Sequence, residues 1–214
     1  MSVIVPCILT DSEEEYHNNL LKAEHVADLI QVDIIDGKFA DNTTVGVDVV
    51  KKYLSSSMLE IQLLVEDVTS YIEELAPLEY VSRIIIPFEI DSDVNEAFYH
   101  IKGHGKQTGL SINPSTSVKA VFHFLDEIDL LTLMAVEPGF SGQKLQKEVF
   151  LKIDEAKRLV PDLALEVDGG VNFDNAQQLA NAGVDFLIAN SVLFGADDFM
   201  LAHEKLAKLA TVTP

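Results

Sequence analysis

Two stretches of this chain set carboxylates where an apolar run would otherwise continue. Residues 29–37 read LIQVDIIDG, with Asp33 inside the run and Asp36 before Gly37. Residues 163–171 read LALEVDGGV, with Asp168 ending the run and Gly169 and Gly170 behind it. An unpaired carboxylate is costly to bury, so acids in such positions need a role. Two acids that reach one bound molecule from opposite sides suit one chemistry in particular. One takes a proton from a carbon next to a carbonyl, and the other returns a proton to the opposite face of the planar enediolate. Taken singly, Asp33 reads equally well as a strand-end cap or a salt-bridge partner, because buried ion networks also perturb pKa. Asp36 with Gly37 reads first as turn chemistry.

Two further stretches suit an anion. VDGGV carries paired glycines before a helix-period segment, and IANSVLFG carries Asn190 and Ser191 at the end of the last apolar run. In VEPGFSGQK (136–144), Gly139 and Gly142 bracket an aromatic residue in a polar loop, the composition of a segment that closes over a ligand. An ordinary surface loop with turn glycines has the same composition.

The elements that must position these residues follow from the apolar runs. Eight are rich in β-forming residues: 3–9, 29–35, 58–65, 82–88, 108–112, 129–136, 163–168 and 185–190. Polar segments with helical period separate them, such as DSEEEYHNNLLKAEHVADL and EVFLKIDEAKRLV. Asp11 and Thr116 are predicted N-caps, and Gly183 follows a helix-like run. Strands apolar on both faces and alternating with helices imply a parallel sheet covered by helices. Eight such units predict an α/β fold, a (β/α)8 TIM barrel, as one domain over 1–214. A doubly wound open sheet would favour a glycine-rich turn after the first strand, and CILTDSEEE has none.

Barrels of this kind place function at the C-terminal ends of their strands, with phosphate bound by the loops after strands 7 and 8. The strand ends here supply Cys7, Gln31, Asp33, Asp36, Gln62, Pro87 with Glu89, Asn113, Met134 with Glu137, Asp168, and Asn190 with Ser191.

Composition narrows the partners. The formal net charge is −20, which repels nucleic acid and anionic lipid. It also repels an anionic metabolite, so an anion site must be built locally from backbone N–H groups. No apolar run approaches the ~18–20 residues of a membrane span. The N-terminus lacks the flanks of a signal peptide. The single cysteine, Cys7, excludes an internal disulfide framework and fits a reducing, cytoplasmic setting; it reads as a small buried hydrophobe rather than a nucleophile. Apolar flanks of strands 3 and 4 allow a homo-oligomer. All six histidines fall in helix-like segments or helix ends and are expected on the outer surface, so imidazole-ligated zinc in the barrel mouth is not expected.

The stretches PCILTDS, VDIIDGKFADNTTVG, GLSINPSTSV, LMAVEPGFSGQK and EVDGGVNFDNAQQLANAGVDFLIANSVLF resemble the ribulose-phosphate 3-epimerase family over nearly the whole chain. The resemblance implies interconversion of D-ribulose 5-phosphate and D-xylulose 5-phosphate, a phosphorylated ketose substrate, by proton transfer at C3. It makes Asp33 and Asp168 the acid/base pair. Gly142, Gly169, Gly170, Asn190 and Ser191 become phosphate-side contacts, with Met134 and Ile35 near the reacting centre. It also implies a divalent metal (Mg, Mn, Fe or Zn) as cofactor, held by the two aspartates and two histidines. At the histidine positions this chain has Gln31 and Gln62. A further family histidine falls at Pro87 and a serine at Cys7. Asp33 and Asp168 with two amide oxygens make a weakened site for a hard ion. An amide N–H can instead donate to the developing enediolate oxygen. Two alternatives stay open: a catalytically weak homologue that binds a phosphorylated sugar as a sensor or interaction protein, and an epimerase for a different ketose phosphate. A sugar-phosphate decarboxylase is disfavoured, because EIQLLVED lacks the Asp-x-Lys-x-x-Asp of such barrels at strand 3.

Overall fold

The computed structural model describes residues 1–211, so the end of the predicted 1–214 domain lies outside the described residues. Eight parallel strands close into a barrel in sequence order: β1 (Val3–Ile8), β2 (Leu29–Ile35), β3 (Met58–Leu64), β4 (Val81–Pro87), β5 (Gln107–Ile112), β6 (Leu130–Met134), β7 (Ala164–Asp168) and β8 (Phe186–Ala189). The ring closes through β1 and β8, with Val3 opposite Phe186 and Pro6 opposite Ala189. Helices α1 (Glu13–Glu24), α2 (Val47–Lys52), α3 (Val68–Leu75), α4 (Val94–Gly103), α5 (Val149–Leu159), α6 (Ala176–Asn181), α7 (Ser191–Phe194) and α8 (Phe199–Leu209) surround it. A 3-10 helix (Val118–Phe124) stands where the regular alternation predicts an α-helix after β5.

The strands form because Val, Ile and Leu fill their outward faces and alternate with buried residues on the inward ones. Outward-facing residues such as Ile30, Val32, Ile34, Ile61 and Leu63 pack under the helices in the main core. Inward-facing residues are another matter. Period two along a strand aligns Gln31 with Asp33, Glu60 with Gln62, and Glu166 with Asp168, and all six are buried. One apolar cluster of the barrel interior joins Val5, Cys7 and Ile188, with Leu29 and Phe186 beside them.

Two predicted caps are corrected. The N-cap of α1 is Ser12, whose hydroxyl accepts from the Glu15 N–H at 3.3 Å. Asp11 lies one residue too early for that N–H. Ser117, not Thr116, precedes the 3-10 helix, and the Thr116 hydroxyl donates to Glu89 Oε1 at 2.5 Å instead. All six histidines do sit on helices or helix ends. His203 departs from the expected exposure: it is half-buried, its Nε2 finds no partner among the described residues, and burial lowers its pKa.

Candidate active site

β2 carries Asp33 into the barrel mouth, and the loop after it fixes that strand end. Thr44 donates its hydroxyl to the Asp33 carbonyl at 2.8 Å and accepts from the Ile35 N–H at 2.9 Å. Asp36 acts as the turn residue it resembled, accepting from the N–H groups of Lys38, Phe39 and Glu66. β7 carries Asp168 three places round the ring from β2, by way of β1 and β8. Both carboxylates line one cavity at the barrel mouth.

A single amide joins them. Gln31 Nε2 donates to Asp33 Oδ1 at 2.8 Å and lies 3.3 Å from Asp168 Oδ2, 3.2 Å from Gln62 Oε1 and 3.6 Å from Cys7 Sγ. The Cys7 thiol donates to Asp33 Oδ2 at 3.3 Å, and Gln62 Nε2 to Met134 Sδ at 3.3 Å. Burial raises the Asp33 carboxyl from 3.8 to about 6, against the hydrogen bonds from Gln31 and Cys7. Burial and then the charge of Asp33 raise the Asp168 carboxyl well above its ordinary 3.8. Burial likewise pushes the Cys7 thiol up, so it is a neutral donor and not a thiolate.

Cys7, Met134, Gly139, Gly142, Gly169, Gly170, Asn190 and Ser191 also line the cavity. Gln31 and Gln62 do not. Both are fully buried. Gln31 lies two residues deeper than Asp33 on β2 and donates to carboxylates, whereas Gln62 stands opposite Asp33 in register and turns its N–H2 to Met134 Sδ. Ile35 is buried but does not line the cavity. At the anion end, Gly169 and Gly170 have φ of +111° and +70°. A side chain at Gly170 would place its Cβ 2.4 Å from the Leu145 nitrogen. Asn172 and Asn175 both donate to the Gly170 carbonyl, and the Asn190 amide donates to the Cys7 carbonyl at 2.7 Å, tying β8 to β1. The loop 136–144 is held at the mouth by the Asn42 amide, which donates to the Gly139 carbonyl at 2.5 Å. Gln143 folds the same loop on itself through the Glu137 and Phe140 carbonyls.

Sequence reading missed the layer below. Glu60 pairs with Arg83 Nη1 at 2.6 Å, and Thr132 donates to Glu166 Oε1 at 2.8 Å. Burial and then the charge of Glu60 raise the Glu166 carboxyl well above its ordinary value. The signal was present: Glu60 and Glu166 stand two residues before Gln62 and Asp168.

The residues do not fit the divalent metal that the resemblance implies. The mouth offers carboxylates, amides, a thiol and a thioether but no imidazole. Where oxygens of Asp33, Asp168 and Gln62 converge, Gln31 presents N–H hydrogens rather than lone pairs. Among the described residues no group of three or more His, Cys, Asp and Glu side chains is placed to hold a metal ion.

Fold and mouth together define a (β/α)8-barrel enzyme with two acids at the C-terminal ends of β2 and β7. The chain belongs to the ribulose-phosphate 3 epimerase family, whose profile matches residues 3–194. It is 33% identical over 206 residues to ribulose-phosphate 3-epimerase of Bacillus subtilis, covering 92% of this chain and 94% of that protein. It is 37% identical over 186 residues to the protein of that name from Helicobacter pylori strain J99, covering 84% and 85%. Orotidine 5'-phosphate decarboxylase from Pyrococcus horikoshii superposes with a TM-score of 0.68 at 12% identity over 97% of this chain and 99% of that one, a likeness of fold alone.

Proposed function

We propose that this protein interconverts D-ribulose 5-phosphate and D-xylulose 5-phosphate, with Asp33 and Asp168 as the two catalytic acids. The observation that carries the reading is that two nearly buried carboxylates, from strands three places apart, line one cavity and share one amide partner. With its carboxyl near 6, Asp33 is ionised at neutral pH, and the pair's proton is assigned to Asp168, whose carboxyl burial and that charge raise. For the epimer whose C3–H faces Asp33, that carboxylate takes the proton. The electron pair moves into the C2–C3 bond and onto the C2 oxygen. Asp168 then delivers its proton to C3 from the other face, and the C2 carbonyl reforms. The opposite epimer uses the same atoms in reverse, starting from ionised Asp168 and protonated Asp33. The phosphate is assigned to the end lined by Gly142, Gly169, Gly170, Asn190 and Ser191, because on a chain of net charge −20 an anion must be held by local backbone N–H donors. The loop 136–144 closes over the sugar and keeps water from the enediolate.

A homo-oligomer and a cytoplasmic location belong to the same reading. Leu54 and Met58 are exposed at the start of β3, in keeping with an interface there. Among the described residues no helix is long and apolar enough to cross a membrane.

The test is exchange of the C3 proton in deuterated solvent, followed by NMR with each pentulose phosphate. Wild type should exchange and epimerise, and Asp33→Asn and Asp168→Asn should each abolish turnover. Wild-type exchange rates in either variant would remove that residue from the mechanism. Binding of the sugar phosphate without exchange would favour the sensor reading, and exchange only with another ketose phosphate would change the substrate.

A further inference from the structure

We propose that the Gln31 side chain stands in place of a metal ion in this chain, and that the acid pair works without one. The inference rests on the epimerase reading above.

Four side chains from four strands bring heteroatoms to one point: Asp33, Asp168, Gln62 and Cys7. What lies at that point is the Gln31 Nε2 group, with hydrogen-bond distances of 2.8–3.6 Å to its neighbours. An amide nitrogen has two hydrogens and no free lone pair. It therefore satisfies carboxylates as a donor but contributes nothing to a cation. Gln31 Oε1, by contrast, is buried with no partner among the described residues. That orientation leaves one buried carbonyl unsatisfied. Reversal would set Oε1 against two carboxyl groups and the Gln62 oxygen, and would turn the N–H2 toward the side where Oε1 has no partner. Without a cation the observed orientation is the better one.

The neighbours reinforce it. Gln62 turns its oxygen toward Gln31 and its own N–H2 toward Met134 Sδ, so the two amides interlock. The nitrogen ligands that would bind a borderline ion are elsewhere: every histidine is on a helix or helix end outside the barrel. Gln31 is fully buried and does not line the cavity, so it is a positioning residue. It aims both carboxylates at the cavity and offsets part of their negative charge.

The purified full chain decides this with a readout that does not depend on turnover. Metal content is measured by mass spectrometry after dialysis, and Co²⁺ is titrated while its visible d–d absorption is followed. The wild type should carry sub-stoichiometric metal and develop no cobalt band. Its C3-proton exchange rate should be unchanged by chelator. Gln31→Glu replaces the N–H2 with an oxygen of the same shape and should gain the cobalt band. One equivalent of metal in the wild type, a wild-type cobalt band, loss of exchange on chelation, or no cobalt band in a folded Gln31→Glu variant would each overturn the inference. A wild type that exchanges no proton under any condition defeats the epimerase reading, and the wild-type cobalt titration still decides this one.

Discussion

Asp33 should make the protein less stable as pH rises toward neutrality, the reverse of a salt-bridged aspartate. Its carboxyl moves from 3.8 to about 6 on folding, chiefly through burial. Between those values the folded chain keeps a proton that the unfolded chain has released. Stability is therefore fully present below the unfolded value and is lost as pH rises through the folded one. Two pKa units correspond to about 3 kcal/mol. Asp168 moves in the same direction and extends the loss to higher pH. The Asp33→Asn/Asp168→Asn double variant lacks both titrations while keeping side chains of similar shape. Its stability relative to wild type should grow by about 3 kcal/mol or more between about pH 4 and about pH 8. For a chain of this size that is roughly 6–12 °C in Tm. Urea unfolding at fixed pH supplies the difference, provided the m-value is shared. Parallel pH–stability curves for the two proteins would show that Asp33 is not held up by burial, and the protonation states assigned to the mechanism would fail with it.

Three substitutions test how the site is built. Gly170→Ala forces a Cβ to within 2.4 Å of the Leu145 backbone at φ +70°; it should cost more than the ~1–3 kcal/mol of local backbone strain and raise KM for the sugar phosphate. Gly142→Ala, at φ +78° with nothing within 4 Å of its Cβ, should cost only that strain; equal losses of stability in the two would refute the close-approach argument. Arg83→Met leaves Glu60 buried without its cation and should cost about 3–5 kcal/mol by urea unfolding. A loss under about 1 kcal/mol would mean that Glu60 takes up a proton at little cost.

The barrel was legible because buried parallel strands are nearly continuous apolar runs, and eight of them at regular spacing leave few other closed arrangements. Cap positions were less so. Asp11, Ser12 and Thr10 are all cap-forming residues in a row, and only the backbone path decides that the Ser12 hydroxyl reaches the Glu15 N–H. Asp33, Asp168 and the cavity-lining glycines followed from reading the strand ends. The depth of Gln31 did not follow, because a strand-end list says which residues are last and not which side they face. Period two settles that. It turns Asp33 and Gln31 to the same side, with Gln31 two residues deeper and out of reach of a ligand. The same step would have found Glu60 and Glu166.

The interior polar groups explain how a barrel tolerates acids at its mouth. Glu60, Glu166, Asp33 and Asp168 are buried together with one cation, Arg83. Four ionised carboxylates around one guanidinium would be untenable, so protons must replace missing positive charge. In the lower layer Arg83 neutralises Glu60, and Glu166 is held protonated with Thr132 on its other oxygen. That leaves the upper pair with Gln31 between them. A neutral amide stabilises one negative charge there far better than two, so the pair settles at one proton and one charge. This is the composition that transfer across a planar intermediate requires, one group able to accept and one able to donate. The stability lost through Asp33 at neutral pH and the acid/base competence of the mouth thus have a single origin, the scarcity of positive charge inside this barrel.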